Sequence, residues 1–81
     1  MNLIYNSTSY CVVEFRDAAG EIGGYEIMDK LGKREIYLGG DLAIRFREGV
    51  QQLIAAEPST DDVDEFLSGF QGLMQTPVAL H

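Results

Sequence analysis

An 81-residue chain of formal net charge −7 has room for a single domain, and a domain this small buries only about 60% of the surface its unfolded form exposes. One cysteine, Cys11, excludes a disulfide within the chain, and one histidine, His81, argues against a metal centre, so self-association is the expected extra source of stability. The excess of acid opposes nucleic acids and anionic membranes, which are bound largely through Lys and Arg, and no apolar run approaches the ~18 residues of a membrane span.

Residues 1–5, MNLIY, lack the basic and long apolar regions of a secretory signal, so the expected location is the cytoplasm. Residues 2–5 can form a short edge strand, and the polar cluster Asn6–Ser9 reads as a turn. The run YCVVEFR, residues 10–16, is β-branched and aromatic, which predicts a strand. Alternation puts Cys11, Val13 and Phe15 on one side of it, and Tyr10, Val12, Glu14 and Arg16 on the other. After a loop around Gly20, residues 24–29 and 33–38 predict two further strands joined by the short Lys30-Leu31-Gly32 connection. Connections this short require antiparallel pairing.

On this reading one sheet face carries Cys11, Val13, Phe15, Tyr25, Ile27, Ile36 and Leu38 and must be covered by helices. The opposite face mixes Tyr10, Val12, Met28 and Tyr37 with Glu14, Arg16, Glu26 and Glu35, which is unusually apolar for a solvated surface.

Gly39-Gly40 ends the sheet, and Asp41 is the expected N-cap of a helix over roughly residues 42–56. Its apolar stripe reads Leu42, Phe46, Gly49, Val50, Leu53 and Ala56. Gly49, in mid-stripe, costs ~1 kcal/mol relative to Ala, which predicts close approach of another element there. Pro58 breaks the helix. Ser59, with Asp62 three residues on, predicts a capping box for a second helix, along which Val63, Phe66, Leu67, Phe70, Leu73 and Met74 recur at helical intervals. Residues 75–81 are expected as an extended tail or a short last strand. The predicted fold is a single α+β domain, 1–81: a three- to four-stranded antiparallel meander, then a two-helix hairpin on one face, in the order β-β-β-α-α.

No catalytic constellation emerges. Cys11 has no neighbouring His or cation in the sequence to generate thiolate, and it packs like a small apolar residue. The acids of DDVDE open a helix instead of forming a cation-binding loop. Neither Gly-Gly pair carries the Lys and Ser/Thr of a phosphate-binding loop. No cofactor and no metal site is therefore expected, and the chain does not read as an enzyme. Tyr10, Val12, Met28 and Tyr37 form the candidate interaction surface, since Tyr and Met are enriched in interface cores. The expected function is a small, cytoplasmic, non-enzymatic interaction module that forms a homo-oligomer or binds another protein. The alternative is a regulatory nucleic-acid binder using the basic segment 30–47, where Lys30, Lys33, Arg34, Arg45 and Arg47 meet only Glu35 and Asp41.

The segments NLIYNSTSYCVVEF, GGYEIMDK, REIYLGG and EPSTDDVDEFL resemble, nearly end to end, a family of short uncharacterised β-proteobacterial proteins classed as a domain of unknown function. That resemblance implies a compact α+β fold and supplies no activity, cofactor or site residue. The second strand and its loop are also similar to those of HicB-type antitoxins, but there a helix soon follows, whereas here further strands do.

Overall fold

The polar breaks after Asn6, Arg16 and Asp29 become the turns between consecutive strands. The structure, a computed structural model, describes residues 2–73 and the backbone of residues 76 and 77. Strands β1 (Asn2–Asn6), β2 (Tyr10–Arg16), β3 (Ile22–Asp29) and β4 (Arg34–Gly39) pair in sequence order, all antiparallel. A two-residue strand β5 (Thr76–Pro77) adds to the outer edge of β4. Ser7 closes the first turn: its Oγ accepts from the Tyr10 amide at 3.0 Å. Asp17 closes the second by accepting from the amides of Ala19 and Glu21 at 2.9 and 3.0 Å. Asp29 closes the third by accepting from the Gly32 amide at 3.0 Å. These short side chains satisfy backbone donors that the ladders leave over.

The chain passes straight from β4 into α1 (Gly40–Ala55), and α2 (Thr60–Ser68) folds back after Pro58. Asp41 is not the N-cap. That position is Gly39, with no side-chain cap, and Asp41 lies within the first turn, where its charge still favours the helix dipole. Ser59 does cap α2, with the reciprocal Ser59–Asp62 pair of a capping box at 3.2 and 3.1 Å. A 3-10 turn over Gln71–Leu73 follows α2.

Both helices lie on one face of the meander, and the core between them is Tyr10, Val12, Tyr25, Ile27, Leu38, Ala43, Phe46 and Leu67. This reverses the expected facing of β2. Val12 pairs with Ile27 and Glu14 with Tyr25, whereas Cys11 pairs with Met28 and Val13 with Glu26. Tyr10, Val12 and Glu14 therefore point to the helices, and Cys11, Val13 and Phe15 point away. The run YCVVEFR is apolar on both sides, so alternation could not choose between them; cross-strand register did. On α1 the buried positions are Ala43 and Phe46, while Leu42, expected in the stripe, is exposed.

Gly49 has the close neighbour its position implied. A Cβ there would stand 3.0 and 3.2 Å from two ring carbons of Phe66. Gly49→Leu should therefore overpack the helix–helix contact and lower stability by about 1–3 kcal/mol. A thermal melt with an unchanged midpoint would contradict that packing.

Candidate interaction surface

The sheet face turned away from the helices is built from alternate residues of four strands. Register places Leu3 beside Val13, Cys11 beside Met28, Met28 beside Glu35, and Glu26 beside Tyr37. Cys11, Val13, Phe15 and Met28 are half-buried, and Leu3 and Tyr37 are exposed at 55% and 56%. Among the described residues no helix covers this face. The molecule is accordingly a slab, with extents of 34 × 33 × 19 Å.

Tyr37 lies flat on the sheet. Its ring occupies the space that side chains at Gly24 and Gly39 would fill: a Cβ at Gly24 would meet the Tyr37 hydroxyl, and one at Gly39 would come within 2.9 Å of the ring. Gly24 and Gly39 are cross-strand partners. The Tyr37 hydroxyl donates to the Gly23 carbonyl at 3.1 Å, and the ring packs at 6.0 Å against Phe15. Gly23-Gly24 thus lies inside β3, with Gly24 seating an aromatic ring. Glycine within a strand marks such close approaches, and that signal was available in the sequence. Glu26, Glu35, Ile36, Tyr37 and Leu73 line a shallow hollow beside this ring.

Of the four expected surface residues, Met28 and Tyr37 do lie on this face. Tyr10 and Val12 do not; they are buried in the core at 4% and 2% exposure. The Tyr10 hydroxyl accepts from Gln71 Nε2, which also donates to the buried Asp29 carboxylate at 3.3 Å, so the C-terminal turn is fastened to the sheet. Glu14, also expected on the open face, is buried against the helices, and its Oε1 accepts from Arg16 Nε at 2.8 Å. Charge-assisted pairing of this kind offsets the cost of burying a carboxylate. Cys11 sits half-buried on the open face, not in the core.

The five basic residues of segment 30–47 divide between the β3–β4 turn, which holds Lys30, Lys33 and Arg34, and α1, which holds Arg45 and Arg47. Lys30 Nζ donates to Asn6 Oδ1 and, at 2.7 Å, to the Ser7 carbonyl, tying two turns together. Lys33 and Arg34 are exposed at the β3–β4 turn. Arg45 and Arg47 stand two residues apart on α1, so they project from nearly opposite sides of it. Among the described residues no group of three or more His, Cys, Asp or Glu could hold a metal ion, and no helix is long and apolar enough to cross a membrane.

Three phenols have pKa values raised above the ordinary 10.0, in each case chiefly by burial. Tyr5 is raised further by the Asp64 carboxylate, which accepts its proton at 2.8 Å. The charge of Asp29 adds to the rise at Tyr10. At Tyr25 the charge of Arg47 partly opposes it. The fold thus favours the neutral phenols. The stability they contribute is complete below pH 10.0 and is lost as pH climbs through their higher folded-state values. Melting temperature should therefore fall steeply above about pH 10, with tyrosinate absorbance rising together with loss of circular dichroism. Tyrosinate formation by all three in a chain that keeps its full melting temperature would contradict this.

The sequence model of a family described as a protein of unknown function, DUF3567, matches residues 1–81. A protein of Burkholderia thailandensis named Protein BTH_I0359 is 59% identical over 85 residues, an alignment covering 100% of both chains. No solved structure matches the chain.

Proposed function

We propose that this chain, which belongs to the DUF3567 family of proteins of unknown function, is a small non-enzymatic interaction module that self-associates through the open face of its sheet and acts in the cytoplasm. The observation that carries this reading is the row of half-buried or exposed apolar side chains on that face: Leu3, Cys11, Val13, Phe15, Met28 and Tyr37. Isolated apolar residues on a surface are ordinary, but a contiguous set on a sheet face that has no covering layer among the described residues favours a partner. Tyr37 is already held in place by Phe15 and the Gly23 carbonyl, so it loses little freedom on binding.

Met28→Glu and Tyr37→Glu test the reading. Sedimentation of the unaltered chain should report a dimer at micromolar concentration, and each variant should weaken it at least about tenfold, or ~1.4 kcal/mol, with circular dichroism unchanged. A monomeric parent, or variants that associate as the parent does, would defeat the proposal. Salt separates it from the nucleic-acid alternative. The face carries Glu26 and Glu35, so added salt should leave a dimer intact or tighten it by screening like charges, whereas retention on nucleic acid would fall steeply.

A further inference from the structure

On the helical side of the sheet, at the edge formed by β1, an apolar groove of about 170 Å³ runs between the two helices and the strand. Its walls include Ile4 of β1, Val50, Leu53 and Ile54 of α1, and Val63 and Phe66 of α2. We infer that this groove docks a basic amphipathic helix of a partner protein, with one large apolar side chain of that helix seated in it. The inference concerns a different surface from the sheet face and stands independently of the self-association proposed above.

Two observations define the occupant. The first is space and chemistry: the groove has room for a Leu or Phe side chain, and its mouth shows Ile54 at 63% and Ile4 at 42% exposure. Nothing described from the C-terminus reaches it, because β5 sits on β4, at the opposite edge of the sheet from β1. Two helices and a strand around an apolar slot suit the helix-in-groove mode of recognition.

The second is charge. From Glu57 to Ser68 the chain carries Glu57, Asp61, Asp62, Asp64 and Glu65 and no Lys or Arg. Asp62 is used in the capping box, and Asp64 accepts from Tyr5 and Ser7 at 2.8 and 2.9 Å. Glu57, Asp61 and Glu65 are exposed. The Tyr5 hydroxyl, which donates to Asp64, also lies 3.4 Å from the Thr60 carbonyl, and since Tyr5 is a wall of the groove this places the acidic start of α2 beside the mouth. Arg47 of α1 lines the adjoining hollow, which shares Ile4, Phe46 and Val50 with the groove, so the acidic charge is concentrated on the α2 side of the slot; there it disfavours acidic peptides, fatty-acid carboxylates and anionic membranes and favours a Lys or Arg flanking an apolar anchor.

The test is a nuclear magnetic resonance titration of the full chain with three synthetic peptides: a Leu/Lys amphipathic helix, the same pattern in Leu/Glu, and a scrambled Leu/Lys sequence of identical composition. The Leu/Lys helix should bind and shift the amides of Val50, Leu53, Ile54 and Val63. The other two should bind at least about tenfold more weakly. Ile54→Lys, at an exposed position, should cut affinity about tenfold without unfolding the chain, and Glu57→Lys with Asp61→Lys should weaken it and flatten its salt dependence. Equal binding by the scrambled peptide, shifts confined to Leu3, Met28 and Tyr37, indifference to Ile54→Lys, or no binding at all would overturn the inference. Repeating the titration on Met28→Glu separates the two surfaces: groove binding should survive there even if self-association does not.

Discussion

Phe46→Ala should cost about 3–5 kcal/mol of folding stability, the range for emptying a buried aromatic site. For an 81-residue domain the whole stability is expected at roughly 4–12 kcal/mol, so the variant would sit at or near its unfolding threshold. Phe46 is 2% exposed and is where the two layers meet. Its ring lies 5.0 Å from Tyr25 on the sheet, and 5.9 and 5.5 Å from Phe66 and Phe70. Removing it strips ring contacts from β3, α2 and the turn beyond α2 together. Ile44→Ala, two residues away and 50% exposed, is the control and should change stability by less than about 0.5 kcal/mol. Urea titration of both variants would settle the matter. A loss below about 1 kcal/mol for Phe46→Ala would mean that the helices are not packed on the sheet through this ring.

Val12→Asp and Val13→Asp should behave as opposites. Val12 is 2% exposed and lies across from Ile27, which is fully buried. A carboxylate there has no described cation or spare donor beside it, and an unpaired buried charge costs more than about 4 kcal/mol. The variant should not fold. Val13 is half-buried on the open face, between Leu3 and Glu26. Aspartate there meets the exposed Leu3 on one side and a like charge on the other, a penalty of about 1 kcal/mol. Val13→Asp should fold and, if the sheet face is the interface, fail to self-associate. Circular dichroism on the pair reads the facing of β2 directly. A folded Val12→Asp with an unfolded Val13→Asp would put the helices on the other side of the sheet.

Those two variants bear on the point where reading the chain and seeing it folded diverge. The strands, their antiparallel order, the break at Pro58, the capping box at Ser59 and the tight packing at Gly49 were legible because each depends on neighbours a few residues away. The same logic misplaced the N-cap, since Gly39-Gly40 lets the sheet run into α1 with no residue to spare for Asp41. It missed the seat of Tyr37 on Gly24 and Gly39, which are distant in sequence and adjacent only across the β3–β4 pair. It also placed Leu42 in the core, where the crossing of α1 over the sheet brings Ala43 instead.

The candidate surface was half legible for the same reason. Met28 and Tyr37 share a face through the β3–β4 hairpin, whose short turn sets their register locally. Tyr10 and Val12 belong to β2, which is joined to β3 through a longer loop with an irregularity in pairing between Phe15 and Arg16. Tyr10 and Glu14 look polar enough to face solvent, yet each buries its polar tip on a partner: Gln71, 61 residues away, and Arg16.

Taken alone, the order of residues determined which segments are strand and helix, where they turn, and that the class is α+β, because hydrophobic period, capping and proline act over a single turn of chain. Which side of β2 is covered, which aromatic ring closes the core, and where the apolar sheet face and the groove open were decided only by tertiary structure. A strand apolar on both sides is settled by its cross-strand partners, and those lie beyond the range of any local pattern.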